Sequence, residues 1–272
     1  MRSFPQFLFI ATLTITSILM PGAHRNALAE WYVAGYGGFS TGGDLNDVTM
    51  PLRGERLARQ QFPQADEPLN SLGRGTLYQH FKTSDISLNS SAMYGGKVGY
   101  FFNDMKLPWL GAEIEIFTTT PKIEAQRLDT SHEITYQPNT PASATLCAQI
   151  APPPNCPASV TNKSRLALSE SDLRVITFAL NLVARYPNPV VQPYVGVGVG
   201  AFYFLGSGQI DGRQFVPGLN AQFGLKYMAT QHWALFAEGK YNLAHISALD
   251  STFGITGLYS IFHVAAGAAY HF

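Results

Sequence analysis

Little of this chain is charged. Asp, Glu, Lys and Arg make up 13% of its 272 residues, about half the share usual in a soluble domain. So few charges cannot keep a whole surface in water, which argues against an ordinary soluble globule. Neither sign dominates, with 18 basic and 18 acidic residues, and that balance gives no electrostatic reason to expect nucleic acid as a partner. No segment reaches the roughly 18 consecutive apolar residues of a membrane-crossing helix, which excludes a helical membrane bundle. Cysteine is limited to Cys147 and Cys156. His80, His132, His232, His245, His263 and His271 are scattered, so no metal-ligand spacing stands out. No glycine-rich phosphate loop sits between a strand and a helix, and no cofactor is expected.

What the chain does have begins with a secretory leader. Arg2 precedes an apolar stretch from Phe7 to Met20, and Ala27-Leu28-Ala29 supplies small residues for cleavage after Ala29. The expected division is a signal peptide over 1–29 and one domain over 30–272. The cut removes Arg2 and Arg25 and no acid, leaving a mature net charge of about −2. In the oxidising compartment beyond, Cys147 and Cys156 are expected to form a disulfide in a proline-rich, irregular loop.

The dominant pattern of the mature chain has period two. Stretches around Trp31–Phe39, Tyr94–Phe102, Leu110–Ile116, Ile176–Leu182, Tyr194–Gly200, Leu219–Tyr227, Leu235–Leu243 and Phe262–Phe272 alternate in this way. Each has about the length of a tilted membrane strand. Short connectors at 103–108, 187–189 and 230–232 alternate with longer ones. Two of these, about 41–85 and 121–165, read as long irregular loops. The expected fold is all-β: an eight-stranded antiparallel up-and-down transmembrane β-barrel with two long extracellular loops and both termini in the periplasm. A soluble sandwich or calycin-like barrel is the alternative, but its outer face would be polar throughout, and here the second face mixes Lys, Glu and Asn with many glycines while the first carries almost no charge.

The two faces differ chemically. One parity carries residues such as Ile114, Phe178, Leu180, Val197, Leu219, Phe223 and Leu235, suited to hydrocarbon. Trp31, Phe102, Trp109, Tyr186, Tyr227, Trp233 and Phe272 gather at the ends beside the short turns, as an interfacial girdle does. The other parity carries Lys97, Glu113, Glu115, Asn181, Arg185, Asn220, Gln222, Lys226, Glu238, Lys240 and Asn242. Inside a narrow barrel these charges are expected to interlock. Lys97 is paired with Glu113 or Glu115, and Lys226 with Glu238. The network reads either as a gated ion path or as a solid polar core.

Pro193–Gly200, Leu235–Tyr241 and Val264–Phe272, with Trp31-Tyr32-Val33 and Tyr94–Tyr100, resemble the OmpA-like, opacity-protein-like outer-membrane β-barrel superfamily. The resemblance implies residence in the outer membrane among lipid and lipopolysaccharide. It also implies delivery by the barrel-assembly machinery, which reads a C-terminal signal matched in this sequence by Gly267, Tyr270 and Phe272. Ala265 replaces the usual upstream polar residue. Members of the superfamily include adhesins, stabilising barrels and small pores, and some eight-stranded outer-membrane barrels are lipid A deacylases. A His-x-Ser spacing like that of the deacylases occurs at His245-Ile246-Ser247, but Ala248 stands where their Asn follows. The leading expectation is a non-enzymatic surface protein whose loops meet an extracellular partner. A narrow channel comes second and a lipid A deacylase-like enzyme third.

Overall fold

The computed structural model describes residues 31–62, 75–138 and 158–272. The expected signal peptide and both cysteines lie outside the described residues. Along the chain run β1 (Trp31–Ser40), β2 (Gly43–Thr49), helix α1 (Pro51–Gln61), β3 (Gly75–Thr83), β4 (Ile86–Leu88), β5 (Ser91–Phe102), β6 (Leu107–Thr119) and β7 (Lys122–Ile123). They are followed by β8 (Gln126–Pro138), β9 (Ala158–Leu168), β10 (Ser171–Arg185), β11 (Val191–Ser207), β12 (Gly212–Met228), β13 (Trp233–Ile246) and β14 (Thr256–His271).

Eight of these strands close an antiparallel barrel in the order β1-β5-β6-β10-β11-β12-β13-β14. The seam joins β14 back to β1, from Tyr32 opposite His271 to Ser40 opposite His263. Each expected strand is one of these eight. Closure is what makes the architecture viable in hydrocarbon, because no strand edge is left with unpaired backbone groups.

Outward positions carry the apolar residues: Ile114, Leu180, Val197, Phe223 and Leu235 are all exposed on the protein surface. Below them the ring of Trp31, Trp109, Tyr186, Tyr227, Trp233 and Phe272 is also exposed. It marks the end with the short turns, which faces the periplasm by the usual rule for such barrels.

Two expectations need correction. The described parts of the stretches 41–85 and 121–165 are largely regular. The first holds β2, α1 and β3, with β4 just beyond it, and the second β7, β8 and most of β9. β3, β8 and β9 form a sheet beyond the barrel mouth, with Phe81 opposite His132 and His132 opposite Asn162. β2 adds to the outer end of β14, with Leu45 opposite Tyr259. Several barrel strands are also longer than expected; β11 and β12 reach 17 residues, well past the 9–11 that span a bilayer, so their outer ends rise to meet this extension.

The second correction concerns the lumen, whose charged side chains lie in its periplasmic half while its outer half is mainly apolar, with Thr119 and Thr177 among the apolar residues. In the outer half the inward positions are Leu173, Val175, Phe202, Phe204, Val216, Ile246, Tyr259 and Ile261. They join Leu45 and Val48 of β2, Ile86 of β4 and Leu166 of β9 in one buried apolar cluster that caps the barrel from outside.

Helix α1 starts with Pro51 in its first turn, where a missing N–H costs nothing. It lies on β3 at Gly54, whose absent Cβ would fall 2.8 Å from the Phe81 Cβ. Arg53 lies between Phe81 and Phe253, 5.9 and 5.8 Å from the two ring centres. Arg56 Nη2 donates to the Thr252 carbonyl at 2.9 Å. These contacts pin the helix to the β13–β14 connection.

Candidate functional site in the barrel lumen

The polar half of the lumen is built from alternate residues of all eight barrel strands, β14 supplying His263 and His271. Lys97, Glu113, Glu115, Asn181, Arg185, Gln192, Asn220, Gln222, Lys226, Glu238, Lys240 and Asn242 are all buried there. Three carboxylates form the centre. Glu238 Oε2 lies 2.5 Å from Lys97 Nζ, which also stands 3.4 Å from Glu113 Oε2. Lys240 Nζ meets the two oxygens of Glu115 at 2.6 and 2.8 Å and Gln222 Oε1 at 2.9 Å. It is also 2.8 Å from Glu238 Oε1, an ion pair off the hydrogen-bond direction.

Each carboxylate also accepts a tyrosine hydroxyl. Tyr32 donates to Glu113 at 2.5 Å, Tyr194 to Glu238 at 2.7 Å, and Tyr36 to Glu115. Glycines opposite make room for the rings: a Cβ on Gly99 would enter the Tyr32 ring, and one on Gly224 the Tyr194 ring. Amides complete the shell. Gln222 Nε2 donates to Glu113 at 2.9 Å, and Asn181 Nδ2 lies 3.3 and 3.4 Å from Glu113 and Glu115. Asn220 donates to Asn181 at 2.8 Å, and Asn242 meets His263 at 2.9 Å. Buried charges of both signs are thus held in a shared, hydrogen-bonded network, the condition under which such burial is tolerable.

The pairing differs from expectation at one point. Lys226 makes no ion pair among the described residues. It stands opposite Phe236, not Glu238, and its Nζ lies 4.1 Å over the Tyr32 ring centre. Glu238 is taken instead by Lys97, which reaches it across the interior from β5. The three tyrosines were missed in the sequence because a tyrosine on an inward position reads as one more apolar residue. The signal available was their parity, shared with Lys97 and the glutamates.

Nothing assembles around His245. Its side chain is exposed, while Ser247 Oγ accepts from Gln214 Nε2 at 2.8 Å. The Asp250 carboxylate accepts the backbone N–H groups of Thr252, Phe253 and Ile255 at 3.0, 2.7 and 3.0 Å. Ser247 and Asp250 are therefore engaged separately, while His245 faces outward. Among the described residues no group of three or more His, Cys, Asp or Glu is placed to hold a metal. At the C-terminus Tyr270 packs edge-on against Trp233 and Phe272, with ring centres 5.2 and 5.3 Å away. Gly267 lies opposite Tyr36, and Ala265 faces inward opposite Glu238.

Outside the barrel, a cavity of about 360 Å³ lies between α1 and the β3-β8-β9 sheet. Leu57, Gln60 and Gln61 line it from the helix, and Phe81, His132, Asn162 and Ser164 from the sheet. The His132 Nε2 is buried without a hydrogen-bond partner, and burial holds its imidazole below the usual histidine range.

Comparison with known proteins gives the following. The family model described as "Outer membrane protein beta-barrel domain" matches residues 57–272. No curated protein matches the sequence. Among solved structures, Neisserial surface protein A is 13% identical with a TM-score of 0.43, the match covering 89% of this chain and 97% of that one. OprG of Pseudomonas aeruginosa is 14% identical with a TM-score of 0.40, over 90% and 96%. The outer membrane protease OmpT of Escherichia coli is 9% identical with a TM-score of 0.40, over 89% and 97%.

Proposed function

Because the chain belongs to the outer membrane protein β-barrel domain family and resides in the outer membrane, we propose that it is a non-enzymatic surface protein. In this reading the barrel is a closed anchor, and the extension made of β2–β4, α1 and β7–β9 is its working surface. The surrounding lipid and lipopolysaccharide are its structural partners, the barrel-assembly machinery inserts it, and an extracellular partner meets the extension. The observation that carries the reading is the filled lumen. An ion-paired network occupies its periplasmic half, and an apolar cluster from Phe202 to Leu45 its outer half. A solute path would have to break buried ion pairs and then cross dry hydrocarbon side chains. What remains available outside is a folded, packed extension; a pore would need no such ornament.

Two measurements test the proposal. Refolded protein in planar bilayers is expected to be electrically silent; stable ohmic steps would make it a channel. Cells displaying the full chain are expected to bind extracellular-matrix or glycan surfaces more strongly than cells displaying a trimmed chain. The trim replaces residues 131–163 with a short turn and keeps the Thr130–Ser164 pair. Equal binding by equal surface amounts of both chains would remove the extension from the function.

A further inference from the structure

The lumen does not balance its own charge. Its cations are Lys97, Arg185, Lys226 and Lys240, and its carboxylates are Glu113, Glu115 and Glu238. The ion pairs among them use all three acids but only Lys97 and Lys240. The two remaining cations lie together at the periplasmic end. Arg185 and Lys226 are 9% and 6% exposed, and both lean on Phe101, at 3.5 and 5.5 Å from its ring centre. Tyr32 stacks between Phe101 and His271, with ring centres 5.7 and 5.2 Å away. The two cations thus share an aromatic wall, and the carboxylates nearest Lys226 are already engaged, Glu113 by Lys97, Tyr32, Asn181 and Gln222 and Glu238 by Lys97, Lys240 and Tyr194.

Their donors are incompletely used. Arg185 gives Nε to the Pro108 carbonyl at 2.9 Å and Nη1 to Gln192 Oε1 at 3.4 Å; no bond from Nη2 or from Lys226 Nζ is found among the described residues. Three cations, Lys97, Arg185 and Lys226, and one carboxylate, Glu113, line one small cavity of about 10 Å³ together with Gln192 and the Tyr32 and Tyr194 rings. That is room for about one water-sized particle. Two buried, like-charged groups around such a void repel each other and have lost their water.

We infer that this cavity is an anion site: Arg185 and Lys226 hold one small monovalent ion, a halide such as chloride, which completes the charge balance of the lumen. A halide suits the site in charge and is the smallest common anion; being somewhat larger than water, it needs the flexible Lys226 side chain to give slightly. Phosphate, sulfate and carboxylates exceed the void. A water molecule would fill it but leave both cations uncompensated. Arg185 and Gln192, which line the cavity, bond the Pro108 and Asn188 carbonyls at the periplasmic turns, so an ion arriving from that side needs no passage through the barrel. The inference stands whether or not the extension binds a partner.

The test uses the full mature chain refolded in uncharged maltoside micelles, with ionic strength held constant by exchanging sodium chloride for sodium gluconate. The chloride NMR line is expected to show excess broadening in folded protein, removed by bromide and insensitive to gluconate. The excess should vanish in Lys226→Met and persist in Lys226→Arg. The urea midpoint of the wild-type barrel should rise as chloride replaces gluconate, a readout that remains if Lys226→Met does not insert. Absence of excess broadening from the folded wild-type chain, equal broadening in Lys226→Met, or a urea midpoint indifferent to the anion would each overturn the site.

Discussion

Glu238 is the residue on which the lumen turns. It joins Lys97 from β5, Lys240 from its own strand and the Tyr194 hydroxyl from β11. Glu238→Ala would leave two buried ammonium groups short of a partner, and breaking such a pair costs about 3–5 kcal/mol. The double change Glu238→Ala with Lys97→Met removes one stranded charge and is expected to be less damaging than the single change. Urea unfolding followed by tryptophan fluorescence, with heat-modified gel mobility as the folding check, measures both. A double variant worse than Glu238→Ala would mean that Lys97 is anchored by Glu113 alone. The Lys97–Glu238 pair could not have been read from strand adjacency, which pairs neighbours; Lys97 lies directly opposite Glu115. A long side chain in a narrow barrel reaches strands that never touch its own. The identity of the inward polar set, by contrast, followed from parity alone, because a shift of one residue exchanges the two faces.

At the scale of elements, the barrel strands were legible and the extension was not. Barrel strands such as Leu110–Ile116 alternate against lipid, and their turns are short. β8 also alternates, burying Leu128, Thr130, His132, Ile134 and Tyr136. Its length and position, however, between a membrane strand and a proline-rich segment, made it read as loop. Helix α1 offers few apolar positions, has a glycine at its fourth residue, and has no side-chain N-cap. It exists because the sheet receives it, so its stability is tertiary. Gly54→Val should therefore undock α1 by forcing a side chain against Phe81, at a cost of about 1–3 kcal/mol. Limited proteolysis should then cut within 51–61 while the barrel stays resistant; uncut helix in the variant would refute the docking.

His132 gives the same sheet a pH dependence. Its folded proton affinity is depressed by burial, so the unfolded sheet binds the proton more readily. The neutral ring's contribution is present in full above the unfolded pKa of about 6.5 and declines as pH falls below it. Amide exchange in β8 is expected to quicken between about pH 6.5 and 5 relative to β11, after correction for intrinsic rates. His132→Phe should flatten that difference. An equal slope in the variant would assign the effect elsewhere.

For the whole molecule, the solvent on the outside is the bilayer. Leu180 is exposed on the middle of β10, between Phe178 and Leu182. Leu180→Arg should cost about 2–4 kcal/mol if placed at the midplane, read as a shifted urea midpoint in lipid vesicles. No comparable loss in detergent-free lipid would mean that Leu180 does not lie at the membrane's centre. Strand parity alone would let an arginine at the inward Asn181 be tolerated better than one at Leu180. The packed lumen reverses the reasoning, since Asn181 touches Glu113, Glu115 and Asn220 and has no spare volume beside Gly198.

The seam between β1 and β14 sets the order in which the molecule can be made. Tyr32 finds His271, and Trp31 receives the Phe272 amide on its carbonyl; the first barrel strand to be synthesised waits for the last. β2 then lies along the outer end of that same last strand. Until β14 arrives, every other hairpin can form, yet two raw edges remain and hydrocarbon offers them no hydrogen bonds. A nascent chain is therefore a sheet that cannot be left in the membrane. Contacts so distant along the chain are also the slowest to find by diffusion. The period between synthesis and insertion is when this protein depends most on being held by something else.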